Sequence, residues 1–425
     1  MGSEWTRTTL GDCSMWYSGG TPSKANPTFW EGNIPWVSAK DMKSFYLHDT
    51  EDHLTEEGVQ NGSRIAPAES ILLLVRGMTL HNDLPICIIK QDMAFNQDVK
   101  AIIPNQNINS NFLAYWFLAH KPTLLKMVDS ASHGTGRIHT DVLKSIEVSL
   151  PPLPEQRAIA RVLGSLDDKI ELNRKMNATL EETARAIFQS WFVDFDPVRT
   201  KAAGQAPVGL DAATAALFPA AFEEVDGRMV PQGWDVKNLD QIATYLNGLA
   251  LQKFPPTDEE FLPVIKIAQM RKGSTEDSDK ASPSIPEAYI IEDGDILFSW
   301  SGSLEVVLWC GGQGALNQHL FKVTSNIYPK WFYYLWTRYH LPGFQAIAAD
   351  KATTMGHIQR HHLTQAKVIV PTPQMMDLAD RTVAPLIDQI TNLKLQSRTL
   401  AELRDTLLPR LLSGELRVRD VEPLL

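Results

Sequence analysis

Apolar positions along this chain follow two rhythms. Over residues 1–150 they come in short runs bounded by Gly, Pro and Asn: IPWVSA at 34–39, SILLLV at 70–75, PICIIK at 85–90 and DVKAII at 98–103. Such runs predict the strands of a mostly β domain. Within this stretch Phe112, Leu113, Trp116, Phe117, His120 and Leu124 recur at helical spacing, which predicts a helix over Asn111 to Met127. A polar glycine loop, GTGRIH at 134–139, and a last strand, SIEVSL at 145–150, lead to Pro151, Pro152 and Pro154. Past that gate the rhythm changes. Leu163, Leu166, Ile170, Asn173, Asn177, Leu180, Ala184, Ile187 and Trp191 alternate three and four apart, the spacing of a coiled-coil seam. About 37 helical residues at 1.5 Å each make a rod of roughly 55 Å.

The same rod occurs twice. Shifted by 220 residues, Gly136 to Phe192 falls on Gly356 to Leu412 without a gap. Pro151 lands on Pro371, Leu166 on Leu386, Asp168 on Asp388 and Ile170 on Ile390. The second seam runs Val383, Leu386, Ile390, Leu393, Ser397, Leu400, Leu407 and Leu411, with Arg404 in the remaining slot. Residues 231–370 repeat the first β unit more weakly: ALNQHL at 315–320 echoes AFNQDV at 94–99, and MGHIQRHHL at 355–363 echoes TGRIHTDVL at 135–143. Internal repetition dictates the architecture. The expected fold is α+β, with two mostly β domains separated by two long antiparallel coiled-coil helices and a pseudo-two-fold internal repeat. The expected domains are 1–150, a first helix 151–193, a connector 194–230, a second β domain 231–370, a second helix 371–412 and a tail 413–425. Leu217, Phe218 and Phe222 suggest that part of the connector docks. A seam of this kind also suits a helix in an ordinary core, but one such helix per half makes pairing the better reading. Two like units on a rigid spacer suit a target with two separated halves, such as DNA half-sites one turn apart.

Composition changes this picture little. The net charge of −10 argues mildly against nucleic acid, although residues 236–370 are near neutral with thirteen acids and twelve bases. Three cysteines (Cys13, Cys87, Cys310) lie far apart with no CxxC, so neither a disulfide framework nor a zinc site is expected. No run of 18 apolar residues and no signal peptide is evident, so a cytoplasmic location is expected. Catalytic motifs are wanting as well. Asn26-Pro27-Thr28-Phe29 misses the amino-methyltransferase tetrapeptide, and Cys310-Gly311-Gly312-Gln313-Gly314 does not fit a nucleotide fingerprint. Gly-Lys, needed to close a phosphate loop, does not occur, and Asp98-Val99-Lys100 reads as a strand with alternating faces. His357, His361 and His362 have metal-like spacing, but no companion Glu or third ligand, so no metal is expected.

The stretch PPLPEQRAIARVLGSLDDKIELNRKMNATLEETARAIFQSWFVDFDPV (151–198) resembles the central region of the specificity (S) subunit of type I restriction-modification systems. LGDCSMWYSGGTPSKANPTFWEGNIPWVSAKDM (10–42) is similar to the opening of that family's first target-recognition domain, and LFPAAFEEVDGRMVPQGW (217–234) to the entry into its second. The resemblance implies that each β unit is a target-recognition domain reading half of a bipartite site in double-stranded DNA. It implies that the helices act as a fixed ruler and carry two methyltransferase (M) subunits. Restriction (R) subunits would join that core, with no membrane involved. It also implies that this chain is no enzyme and binds no cofactor, with S-adenosylmethionine, ATP and Mg used by the partners. The second copy departs from the pattern, beginning VPTPQMMD rather than PPLPEQ. A stand-alone DNA-binding regulator is the alternative, and a fused methylase-nuclease a third reading that the motif search disfavours.

Base reading needs donors and acceptors on loops, with cations for phosphates. In the first unit the candidates are Thr21, Lys24, Lys40, Arg76, His133 and Arg137. In the second they are Lys266, Arg271, Lys272, His357, Gln359 and Arg360. The loops before each final strand are favoured, because the repeat places a polar glycine loop there twice. Faces of the rods away from the seam nominate Arg157, Arg174, Phe188, Phe192, Arg398 and Leu408 for partner contact. Trp191 and Phe195 suit either a partner or the chain's own β unit.

Overall fold

The computed structural model describes residues 5–130, 134–256, 260–350 and 356–421. They fall into two units, one of Met1–Lys169 with Leu400–Leu425 and the other of Ile170–Thr399.

In the first unit a five-stranded sheet runs in the order Ser14–Ser18, Val99–Pro104, Ile71–Leu74, Ile86–Ile89, Tyr46–Leu47. Its pairs are antiparallel except the last, which is parallel. Leu72, Leu73, Ile88 and Ile89 are wholly buried, which is why these central strands read as unbroken apolar runs and not as an alternation. A second sheet pairs Trp30–Val37 in parallel with Met93–Phe95. The helix Ser110–Leu125 covers the core, its start fixed by Asn109, whose side chain accepts from Phe112 N at 3.0 Å. Thr6–Thr9 pairs with Glu147–Leu150 and closes the domain.

The second unit repeats these parts. Thr244–Asn247, Leu320–Thr324, Ile296–Ser299 and Val306–Leu308 form one sheet. Leu262–Ile265 pairs in parallel with Gly314–Leu316, and Asp235–Asn238 with Lys367–Val370 in antiparallel. Two glycines mark the shared frame. A Cβ on Gly19 would lie 2.0 Å from Phe95 O, and one on Gly248 2.2 Å from Asn317 O, so neither position admits a side chain. Part of the connector docks: Phe218 is buried against Trp191 at 5.3 Å, and Lys201 Nζ donates to Ala215 O at 2.8 Å, whereas Leu217 stays exposed.

The long helices span Leu153–Phe188 and Pro373–Leu412. A π-turn, Gln189–Val193, extends the first, and Phe195 then reverses the chain with a φ of 58°. Gln156 is buried at the first helix's start, donating to Pro151 O at 2.8 Å and accepting from Asn109 N at 2.9 Å. The PPLPEQ segment therefore anchors a helix end to the sheet domain. Met376 takes the matching place in the second copy and cannot make those bonds.

Within each unit the helices pair antiparallel. In the first, Asp167 meets Arg404 at 2.6 Å, and Glu155 meets Arg417, just past the second helix, at 2.5 Å. In the second, Asn173 donates to Gln396 Oε1 at 2.9 Å, and Glu181 meets Lys394 at 3.3 Å. Both sequence readings of the stripe hold in different places. Leu163, Leu166 and Leu411 belong to the first unit's core, and Val383, Ile387 and Ile390 to the second's. Polar residues hold the stretch around Asn173, where Ser397 also accepts from Asn173 Nδ2, at 3.3 Å. Buried polar contacts of this kind fix the register of paired helices. Asn177 is different: its Oδ1 is buried without a hydrogen-bond partner among the described residues. Such an atom costs about 1–3 kcal/mol in desolvation. Asn177→Leu is therefore expected to stabilise the protein by about 1 kcal/mol, read as a rise in melting temperature, whereas Asn173→Ala should lower it.

Three expectations for the helices are corrected here. Phe188 and Phe192 are 2% and 0% exposed, inside the aromatic core of the second unit, and Leu408 is 7% exposed in the core of the first. Near their ends the helices bury faces beyond the seam against β domains, so these residues are not available to a partner subunit.

Candidate nucleic-acid interface

The favoured loop of the first unit folds into a small three-stranded sheet, Asp129–Ser130, Gly136–Arg137 and Arg76–Gly77. Arg137 stands directly opposite Arg76 on one side and Asp129 on the other. Both arginines are exposed, and among the described residues neither forms an ion pair or a side-chain hydrogen bond. Asp129 instead lies 3.7 Å from His139 Nε2. Lys100 joins this group, its amine donating to Ser18 Oγ. Burial, then the Lys144 and Arg137 charges, lower the Lys100 pKa below the ordinary lysine value. Sequence reading treated Lys100 only as part of a strand. Its place as the sole charge in VKAIIP was the available signal.

The other candidates of this unit scatter. Thr21 donates to Gln97 Oε1 at 2.6 Å, and Lys24 lies over the Trp30 ring, 5.8 Å from its centroid. Lys40 is bound by Glu51 and Asp52, each at 3.0 Å, and these hydrogen bonds raise its pKa. His133 lies outside the described residues.

In the second unit the three lysine and arginine candidates near the Ile267–Lys272 helix are already paired. Lys266 binds Asp279, Arg271 binds Glu305 at 2.7 Å, and Lys272 binds Glu276 and Asp277 at 3.0 and 3.1 Å. His357 bridges to Ser301 and lies edge-on to Trp300 at 6.4 Å. Gln359 caps the Arg360–Gln365 helix, its backbone N–H donating to His362 Nδ1 at 2.9 Å. His362 is therefore occupied by helix capping, and no group of metal-ligating side chains exists among the described residues. Arg360 lies over the Phe321 ring at 5.8 Å and donates to Tyr245 O at 3.4 Å. Trp300, His319 and Asn247 complete this patch, with Trp300 Nε1 donating to Asn247 Oδ1 at 2.8 Å.

On the helices, Arg157 is exposed, and Arg174 is exposed but held by Glu171 at 2.8 Å. Arg398 binds Asp293 at 2.8 Å and Cys310 O at 2.8 Å, which makes it a brace within the second unit. No helix of the described residues is long and apolar enough to cross a membrane.

The arrangement thus offers two β domains of one design, each with a polar loop cluster beside its last strand. Comparison with known proteins agrees with the duplication. Residues 2–182 and 231–404 each match the model of the type I restriction modification DNA specificity domain. The chain is 27% identical to the type I restriction enzyme MjaIX specificity subunit of Methanocaldococcus jannaschii, over 98% of this chain and 95% of that one. It is 25% identical to the HindI specificity subunit of Haemophilus influenzae, over 97% of this chain and all of that one. The crystal structure of a type I restriction-modification S subunit from M. genitalium superposes with a TM-score of 0.53 over 96% of each chain at 15% identity, a likeness of fold. Two matched domains, each followed by its long helix, place this chain in the family of type I restriction-modification DNA specificity subunits.

Proposed function

We propose that this chain is the DNA sequence-specificity subunit of a type I restriction-modification complex, each β domain reading one half of a bipartite site in double-stranded DNA. The observation that carries this reading is the duplication itself: one hydrogen-bonded β frame built twice with different polar loops. Base specificity comes from side chains at groove edges, so a constant frame with exchanged loops is what two different half-sites require. The long helices offer exposed polar faces for two methyltransferase subunits, with Arg157 and Arg174 as contacts, and restriction subunits join that core. In this reading the chain performs no chemistry and holds no cofactor. S-adenosylmethionine, ATP and Mg serve the partner subunits, and the complex works in the cytoplasm, where the DNA is.

Mapping of methylated adenines across the genome, with and without this chain, tests the reading. A two-part motif should lose its methylation when the chain is deleted and regain it on complementation. An unchanged methylation pattern, or methylation of DNA by the purified chain alone, would refute it.

A further inference from the structure

Hydrogen bonds allow the two β domains to be matched residue by residue. Ile138 N donates to Val75 O at 2.9 Å, and Ile358 N to Trp300 O at 3.0 Å. Val75 N donates to Asp98 O at 2.9 Å, and Trp300 N to His319 O at 3.3 Å. Asp98 N donates to Asn96 Oδ1 at 3.0 Å, and His319 N to Asn317 Oδ1 at 3.2 Å. Lys100 stands opposite Ser18 in register, as Phe321 stands opposite Asn247. These bonds equate Arg76 with Ser301, Asp98 with His319, Lys100 with Phe321 and Arg137 with His357. The surrounding frame keeps its identity: Asn96 and Asn317, Gly77 and Gly302, Gly136 and Gly356, Ile138 and Ile358.

Four neighbouring positions have therefore changed charge, size and hydrogen-bonding character together, beside Asn, Gly and Ile positions that keep their identity; Val75 and Trp300, matched by the same bonds, differ as well. In the first unit the result opposes ordinary sheet chemistry. Like charges directly opposite each other destabilise a strand pair, yet Arg76 and Arg137 face each other, exposed, and Lys100 adds a third positive charge. No carboxylate of the described residues is paired with either arginine. In the second unit the same place is an aromatic and imidazole patch. His319 Nδ1 lies 3.1 Å from Ser301 Oγ, and Trp300 packs against His319 and Phe321 at 5.9 and 6.0 Å. Arg360, beside this patch, is turned to Phe321 and to a backbone carbonyl.

We propose that positions 76, 98, 100 and 137 of the first domain, and 301, 319, 321 and 357 of the second, form the specificity-determining cluster of each half, and that Arg76 and Arg137 read guanine. This rests on the specificity-subunit reading above. Guanine presents O6 and N7 as adjacent acceptors in the major groove, and arginine meets both with a rigid planar fork that lysine lacks. The second domain has no arginine at the matched positions, so its half-site differs at the corresponding bases.

The test uses the full chain assembled with its methyltransferase partner and sequencing of the methylated sites. Arg76→Ala and Arg137→Ala are each expected to lower methylation of the cognate site about 10- to 100-fold and to relax a guanine in one half, leaving the other half unchanged. Arg76→Lys and Arg137→Lys keep the charge but lose the fork. They are expected to relax the same base, and they serve where an alanine variant melts early. An even fall across all sequences with no base relaxed would mean phosphate contact and overturn the proposal, as would an unchanged motif and rate. A wild-type complex that methylates no two-part site would instead defeat the specificity-subunit reading, whatever the variants do.

Discussion

Phe192→Ala is expected to destabilise the second unit by about 3–5 kcal/mol. The ring is fully buried, with Trp234, Trp331 and Phe332 at 5.8, 5.6 and 6.2 Å. Removing it opens a cavity among large, rigid side chains that cannot collapse inward, the condition under which truncation costs most. Phe188, against Trp336 at 5.0 Å, belongs to the same cluster. Denaturant unfolding followed by near-ultraviolet circular dichroism should show an early loss of the aromatic signal. A shift below about 1 kcal/mol would mean that the ring faces outward to a partner after all. Phe192→Leu should recover part of the loss, because it restores most of the volume.

Arg404→Met is expected to cost the first unit about 3–5 kcal/mol. Arg404 occupies a seam position, where the heptad pattern calls for an apolar residue. Its partner is Asp167, whose side chain is 10% exposed and accepts from Arg404 Nη1 and Tyr115 Oη, both at 2.6 Å. Burial and the Asp167 charge hold Tyr115 in its protonated form, well above the usual phenol range, so it remains a donor. Without Arg404 the carboxylate stays buried with one neutral donor. Asp167→Asn in the Arg404→Met background should restore most of the stability, because the group left behind carries no charge. A double-mutant cycle measures this coupling, and a coupling near zero would show that the pair is a solvated surface contact.

These residues also show what could be read from the chain and what could not. The strands, the helices and the duplication were legible because each rests on local periodicity or on self-similarity. The odd seam member Arg404 was legible as an exception but not as half of a pair, since Asp167 lies far away in sequence. Lys40, Arg271 and Lys272 stand among the candidate DNA contacts of the sequence reading. Arg271 finds Glu305 only through tertiary packing, which no spacing rule reports. Phe188, Phe192 and Leu408 looked available because the seam accounts for one face of a helix. A helix that also leans on a β domain buries a second face, and sequence periodicity does not say which. The facing of Arg76 and Arg137 depends on strand register, again invisible until the fold is known.

The first unit is assembled from the opening and closing stretches of the chain, with 170–399 in between. At about 5–20 residues per second, a ribosome needs roughly 10–50 s to make that intervening stretch. Through that interval Leu163 and Leu166 wait for Leu407 and Leu411, which are translated only after it. A nascent chain in that state displays an unfinished greasy strip, and its dependence on chaperones should be greatest until residues 407–411 have emerged.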